Sequence, residues 1–317
     1  MNNLTKKIKR MAEEIAPRVQ SIREDIHRYP ELRFEEFKTS ERCASELNDL
    51  GIDVRKNVGK TGVVGTMEGN RKGRVIAFRA EMDALPMQDM CGASYQSESP
   101  NVAHLCGHDG HVASLLGAAS ILEKIKNHLN GTVKFLFEPS EEATPVNEYC
   151  GAEAMIIDGA LKNPDVDAVF GGHFFPDWKA GTIALKSGVV FSGNDVVHLK
   201  ISGREAHSAV PHDGVDAIYV AGQIITATQG LVSQLDVDEA ISLHWNTIHG
   251  GRVSNLIAGQ VVLEGSFRFS NPNLRAKIPN KIENLIKGIC DSFGATYELD
   301  YFVRPMPAVI NSKNESF

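Results

Sequence analysis

The sequence is short of basic charge, of pairable cysteines and of long apolar runs. Lys and Arg number 33 against 40 Asp and Glu in 317 residues, a formal net charge of −7. With a sequence pI near 5.9, that balance argues against the basic patch or stripe of a nucleic-acid partner. No apolar run approaches the length of a membrane span, so no membrane partner is expected. Residues 1–14 carry Lys6, Lys7, Lys9 and Arg10 and lack the apolar centre of a signal peptide. The five cysteines (Cys43, Cys91, Cys106, Cys150, Cys290) are odd in number and scattered. A disulfide framework is therefore not expected, and a reducing, cytoplasmic setting is. There is no internal repeat and no low-complexity tract. What remains is an ordinary globular composition, 42% hydrophobic and 23% charged, long enough for one large domain or two smaller ones.

Ile8, Met11, Ile15, Val19, Ile22 and Ile26 recur at three- and four-residue steps, which predicts an amphipathic helix ending before Pro30. A second helix is expected over 39–50, stopped by Gly51. Strands are expected over 63–67 and 74–79, the latter apolar enough through Val75, Ile76, Ala77 and Phe78 to be buried on both faces. A helix over 112–129 follows, then a strand over 132–137 that opens onto Glu138-Pro139-Ser140-Glu141-Glu142, and a strand over 168–171 that delivers His173. Strands alternating with helices imply an α/β sheet with its functional groups at strand ends. After about residue 190 the order changes to strand 196–201, helix 216–231, strands 240–248 and 260–269, helix 278–293 and strand 295–303. That is the split βαβ pattern of a compact α+β, ferredoxin-like unit, expected over 191–304 as an insertion following a first domain over 1–190.

Cys106-Gly107-His108-Asp109-Gly110-His111 packs a thiol, two imidazoles and a carboxylate into six residues. Thiolate and neutral imidazole are good ligands for a borderline divalent ion. Alone, the pair reads equally as a buried cysteine beside capping residues. Glu141-Glu142 follows a strand, so one carboxylate can face a metal and the other the water it activates; neighbouring like charge raises one pKa, which suits a general base. Taken alone, such a pair is a solvated surface feature. His173 stands at the mouth of an apolar strand, where a hydrogen-bonded structural histidine is the default. Asp83, just past a buried strand, is placed to orient a ligand imidazole, or simply to make a turn.

In order and wording these segments resemble the M20 metallopeptidase family, in particular its amidohydrolase branch of hippurate hydrolases, auxin-conjugate hydrolases and N-acyl amino acid deacylases. The resemblance rests on residues 79–86, 104–111 and 138–142, on Gly203-Arg204-Glu205-Ala206-His207-Ser208-Ala209-Val210-Pro211-His212, and on His249-Gly250-Gly251 with Asn255. It implies a two-metal catalytic α/β domain interrupted by a smaller domain that serves as lid and dimer interface. By matching positions it implies Cys106, His108, Glu142 and His173 as metal ligands, Glu141 as general base and Asp83 as the partner of a ligand histidine. His207 is implied as an oxyanion-stabilising residue that reaches the partner subunit's site, so a homodimer is expected. Asn255 and Arg268 are implied as holders of the substrate carboxylate. The implied reaction is hydrolysis of an N-acyl amino acid amide with manganese or zinc, cobalt and nickel also being acceptable ions.

Three departures from the branch stand out. Glu81 and Glu138 occupy positions where it usually has aspartate and glutamine, and Asn255-Leu256-Ile257-Ala258-Gly259 stands where it has Asn-x-Ile-Pro. Residues 305–317 are expected to begin a return to the first domain, and no histidine follows His249 to supply the branch's last ligand. A metal-binding or dimerising remnant, and a peptidase or biosynthetic deacetylase of the same family, are therefore alternatives. A structural zinc site is a further one, disfavoured by Glu141 and Glu142, since such sites normally close with cysteine and histidine.

Overall fold

The computed structural model describes residues 3–142, 148–232, 241–271, 273–303 and 309–311, which divide by their contacts into two compact units, Met1–Gly181 and Thr182–Phe317. Residues 182–190, expected with the first domain, thus count with the second. Ala240, the expected start of a strand, and most of 305–317 lie outside the described residues. Among the described residues no helix is long and apolar enough to cross a membrane.

The first unit runs α1 (Asn3–Arg28), α2 (Phe37–Asp49), β1 (Asp53–Val58), β2 (Gly62–Glu68), β3 (Arg71–Glu81), α3 (His108–Lys124), β4 (Asn130–Glu138), α4 (Gly151–Ile157) and β5 (Ala168–Gly171). Its sheet has the order β1-β2-β4-β3-β5, with β3 parallel to both β4 and β5 and the other pairs antiparallel. Side chains alternate across a strand, and β4 uses both faces: Phe135 and Phe137 pack with Ile22, Leu47, Val112 and Leu116 of the helices. Leu136 turns the other way, to Val58, Val64, Ala77 and Met155 of α4. Covered on both sides around β4, the centre of the sheet offers ligands its strand ends. Parallel register sets the ends of β3 and β4 level, with Glu81 opposite Glu138, and stops β5 two residues short, with Gly171 opposite Arg79.

Two differences from the sequence-based expectation bear on the site. The helix expected from 112 begins at His108, because Gly107 takes a left-handed φ of +84° and turns the chain in before it. The cysteine cluster is thus a turn plus the first turn of α3, where Asp109 favourably meets the helix dipole. The unpredicted β1 is an edge strand, mostly exposed, with too few apolar residues to announce itself.

The second unit runs β6 (Gly188–Phe191), β7 (Gly193–Ser202), β8 (Ala206–His207), α5 (Ala217–Val232), β9 (Ile241–Gly250), β10 (Leu256–Ile257), β11 (Gln260–Phe269), α6 (Leu274–Phe293), β12 (Thr296–Phe302) and β13 (Val309–Asn311). Its main sheet has the order β12-β7-β11-β9, antiparallel throughout, as a split βαβ unit requires. One face buries Val197, Leu199, Leu263 and Phe267 under Ile224 of α5 and Ile278, Ile282 and Ile286 of α6.

Leu47 is fully buried and its Cδ1 would lie 2.7 Å from any Cβ placed on Gly65. Leu47→Ala is expected to cost about 2–5 kcal/mol, read as a lower urea midpoint at unchanged slope. Cys43 and Cys290 are fully buried, burial also pushing both thiols up, whereas Cys91 is exposed. A disulfide reagent should therefore modify Cys91 in the native chain and reach Cys43 and Cys290 only on unfolding.

Candidate metal centre

The ends of β3, β4 and β5 and the start of α3 bring Asp83, Cys106, His108, Glu141, Glu142 and His173 together. Donor atoms of Cys106, His108 and His173 lie within 4.8 Å of one another, and so do those of His108, Glu141 and Glu142. His108 belongs to both groups, so two metal-sized clusters adjoin at one imidazole.

The hydrogen bonds fix which ring nitrogens face the clusters. His108 Nδ1 lies 2.9 Å from the Asp83 carbonyl and 3.2 Å from Asp83 Oδ1. Both oxygens accept, so Nδ1 carries the hydrogen, and Nε2 is the atom offered to a ligand. His173 Nδ1 donates to the Phe174 carbonyl at 2.7 Å, which leaves its Nε2 facing Cys106 Sγ at 3.2 Å. Asp83 Oδ2 also accepts the Glu142 N–H at 2.8 Å, so one buried carboxylate orients a histidine and the chain at Glu142.

The acidic pair sits on a shaped turn. Ser140 has φ +47°, and its N–H donates to buried Glu36 at 2.8 Å, whose other oxygen accepts from Thr61 at 2.5 Å. Burial, and then the charge of Glu142, push the Glu141 carboxyl up to about 7. Burial pushes His108 down, but its bonds to Asp83 and Cys106 dominate and hold the imidazole at about 11. An ion entering this cluster must therefore displace a proton.

Beside the clusters runs a buried network to which the sequence alone assigns no role. Arg79 pairs with both Glu81 and Glu138, two of the positions where this chain departs from the branch. Glu81 Oε2 is 2.8 Å from His111 Nδ1, and His111 Nε2 is 3.1 Å from the Phe174 N–H. The Phe174 ring lies 4.9 Å from that of His111 and covers Gly110, where a Cβ would come within 2.4 Å of it. The available signal was helical spacing: His108 and His111, three apart, share a face of α3.

A third group, His27, Asp89 and Cys91, also clusters. His27 Nδ1 faces Asp109 at 2.8 Å and Nε2 faces Asp89 at 3.2 Å, and these bonds raise its pKa. Both ring nitrogens of His27 are thus taken up by carboxylates, which makes this group a hydrogen-bonded network.

The remaining candidates lie in the second unit. His207 on β8 pairs with Leu256 of β10, and the Asn255 carbonyl accepts the Ser208 N–H at 3.0 Å, so His207 and Asn255 are neighbours. The His207 ring accepts the Ala209 N–H at 3.1 Å. Arg268 is exposed on β11 opposite Asn194 and Ser242. It lies roughly 27 Å along that strand from Gln260.

With this geometry in hand, likeness to known proteins becomes informative. Residues 77–316 match the model of peptidase family M20/M25/M40. An N-acyl-L-amino acid amidohydrolase of Geobacillus stearothermophilus is 35% identical over 94% of this chain and 80% of its own length. Thermostable carboxypeptidase 2 of Saccharolobus solfataricus is 34% identical over 98% of this chain and 78% of its own. The crystal structure of a Bacillus subtilis protein described as a dinuclear metal-binding M20 peptidase superposes with a TM-score of 0.79 at 31% identity, over 95% of this chain and 77% of that one. The chain belongs to peptidase family M20/M25/M40, a family of metal-dependent hydrolases.

Glu81 yields a pH prediction. Burial pushes its carboxyl up, but the hydrogen bond from His111 and the Arg79 charge hold it at about 2, below the usual 4.5. A carboxyl depressed on folding adds stability above its unfolded pKa that is lost as pH falls toward the folded one. Thermal midpoints of the native chain should therefore fall more steeply between pH 4.5 and 2 than those of Glu81→Gln.

Proposed function

We propose that the protein hydrolyses the amide bond of N-acyl amino acids, using divalent metal held by Cys106, His108, Glu142 and His173. The observation that carries this is the donor set: a thiol, two imidazoles whose Nε2 atoms face inward, and a carboxylate beside a second, half-buried one. Thiolate, imidazole and carboxylate suit zinc or manganese, and cobalt or nickel also. When bound, such ions supply a Lewis acid that polarises the scissile carbonyl and lowers the pKa of water.

The chain's own residues do the rest. Glu141, pushed up to about 7, is matched to take a proton from the attacking water near neutral pH and return it to the departing amine nitrogen. Asp83 keeps His108 in one tautomer and fixes the chain at Glu142. In this reading the protein is a cytoplasmic homodimer joined through its second unit. His207 then stabilises the oxyanion in the partner's site, and Asn255 and Arg268 bind the carboxylate of the amino acid. A peptidase reading is kept in view by the carboxypeptidase relative, since acyl preference is set by pocket shape and not by the metal ligands.

The test is metal content of the purified chain with hydrolysis of N-acetyl and N-benzoyl amino acids and of dipeptides, with manganese or zinc added. Glu141→Gln is expected to lose about 10²- to 10⁴-fold in kcat with metal content unchanged, and Cys106→Ser to lose metal. A chain that binds metal and cleaves none of these substrates would instead be a binding or dimerising member. Cleavage of dipeptides alone would make it a peptidase.

A further inference from the structure

We infer that His111, clamped by Glu81, is the positioning residue that holds the Phe174 peptide and through it sets His173 in place. This role rests on the metal reading above and adds to it the device that builds the third ligand.

Counting protons assigns each atom its part. The Phe174 N–H can only donate, so His111 Nε2, 3.1 Å away, accepts with its lone pair. The ring's one hydrogen is then on Nδ1, where it donates to Glu81 Oε2 at 2.8 Å. With both nitrogens engaged, His111 has no lone pair for an ion, although Glu81, His108 and His111 lie close enough to form a donor group. The same Phe174 residue uses its carbonyl to accept from His173 Nδ1 at 2.7 Å. The backbone of one residue is thus gripped by His111 at its nitrogen and grips His173 with its oxygen.

Packing reinforces the hydrogen bonds. The His111 ring lies 4.9 Å from both the His173 and the Phe174 rings. On the other side of His173, no atom of the described residues beyond the chain neighbours lies within 4 Å of where a Gly172 Cβ would stand. His111 and Glu81 are both buried, where a hydrogen bond is costly to lose. Arg79 in turn fixes Glu81, so the tether runs from the end of β3, through α3, to the segment following β5.

The test uses Co²⁺ on the full 317-residue chain, following its thiolate charge-transfer and d–d bands, with Phe174 amide exchange and histidine tautomers read by NMR without metal. His111→Leu is expected to weaken Co²⁺ binding about 10- to 100-fold, to keep the thiolate band from Cys106, and to expose the Phe174 amide to exchange. His111→Gln, whose carbonyl can accept that N–H, should recover part of both. Combined with His173→Ala, the His111→Leu loss should largely disappear, because it acts through His173. Fully additive losses, unchanged Phe174 protection, or a native His111 with its hydrogen on Nε2 would each overturn the inference. The tautomer is read on the native chain, so its outcome holds even where a variant folds poorly. Native protein that binds no Co²⁺ overturns the metal reading, and the tether is then decided by tautomer and amide exchange alone.

Discussion

Two carboxylates at the end of one strand hold two histidines on the first turn of one helix, and the centre depends on that double clasp. Asp83 takes the Nδ1 hydrogen of His108 and Glu81 that of His111. Strand geometry puts residues two apart on one side, and helix geometry does the same for residues three apart. The matched spacings let β3 and α3 engage at two points, which fixes rotation as well as distance. Neither acid is solvated, so each contact is made where screening is weak and geometry is costly to alter.

The clasp depends on the ends of β3 and β4 lying level at this edge. β3 is parallel to both β4 and β5, and the register sets 79, 136 and 171 on one line and 81 beside 138 two residues further on. Each strand then releases a short polar segment over the same edge: Asp83 from the first, Glu141 and Glu142 from the second, His173 from the third. Helices and α4 close the two faces with apolar side chains. The site is thus a place where the first unit's sheet can present polar chemistry without stranding it in the core.

Much of this was legible in the sequence, unevenly. The alternation of β4, the stripe of α1 and the strand-helix-strand-strand-helix-strand order of the second unit are periodic signals, and periodicity survives folding. The candidate ligands were legible because resemblance names residue types at matching positions, and Cys106, His108, Glu142 and His173 do converge. Illegible were features whose cause lies across the fold. The start of α3 depends on the left-handed Gly107. The edge strand β1 exists because β2 is there to pair with it. Glu81 read only as a departure from a pattern, and His111 only as a second imidazole, because the peptide that joins them to His173 lies some sixty residues on in the chain. A buried acid–histidine pair leaves no periodic trace.

The Phe174 ring over Gly110 has a consequence for how this centre can vary. A methyl group at 110 would meet the ring at 2.4 Å, so the ring keeps its place against His111 only while residue 110 is glycine. The two sites are therefore linked by size: bulk added at 110 is paid for by movement of the ring at 174. Variation at this otherwise unassuming glycine would reveal whether a lineage has rebuilt the segment that carries its histidine.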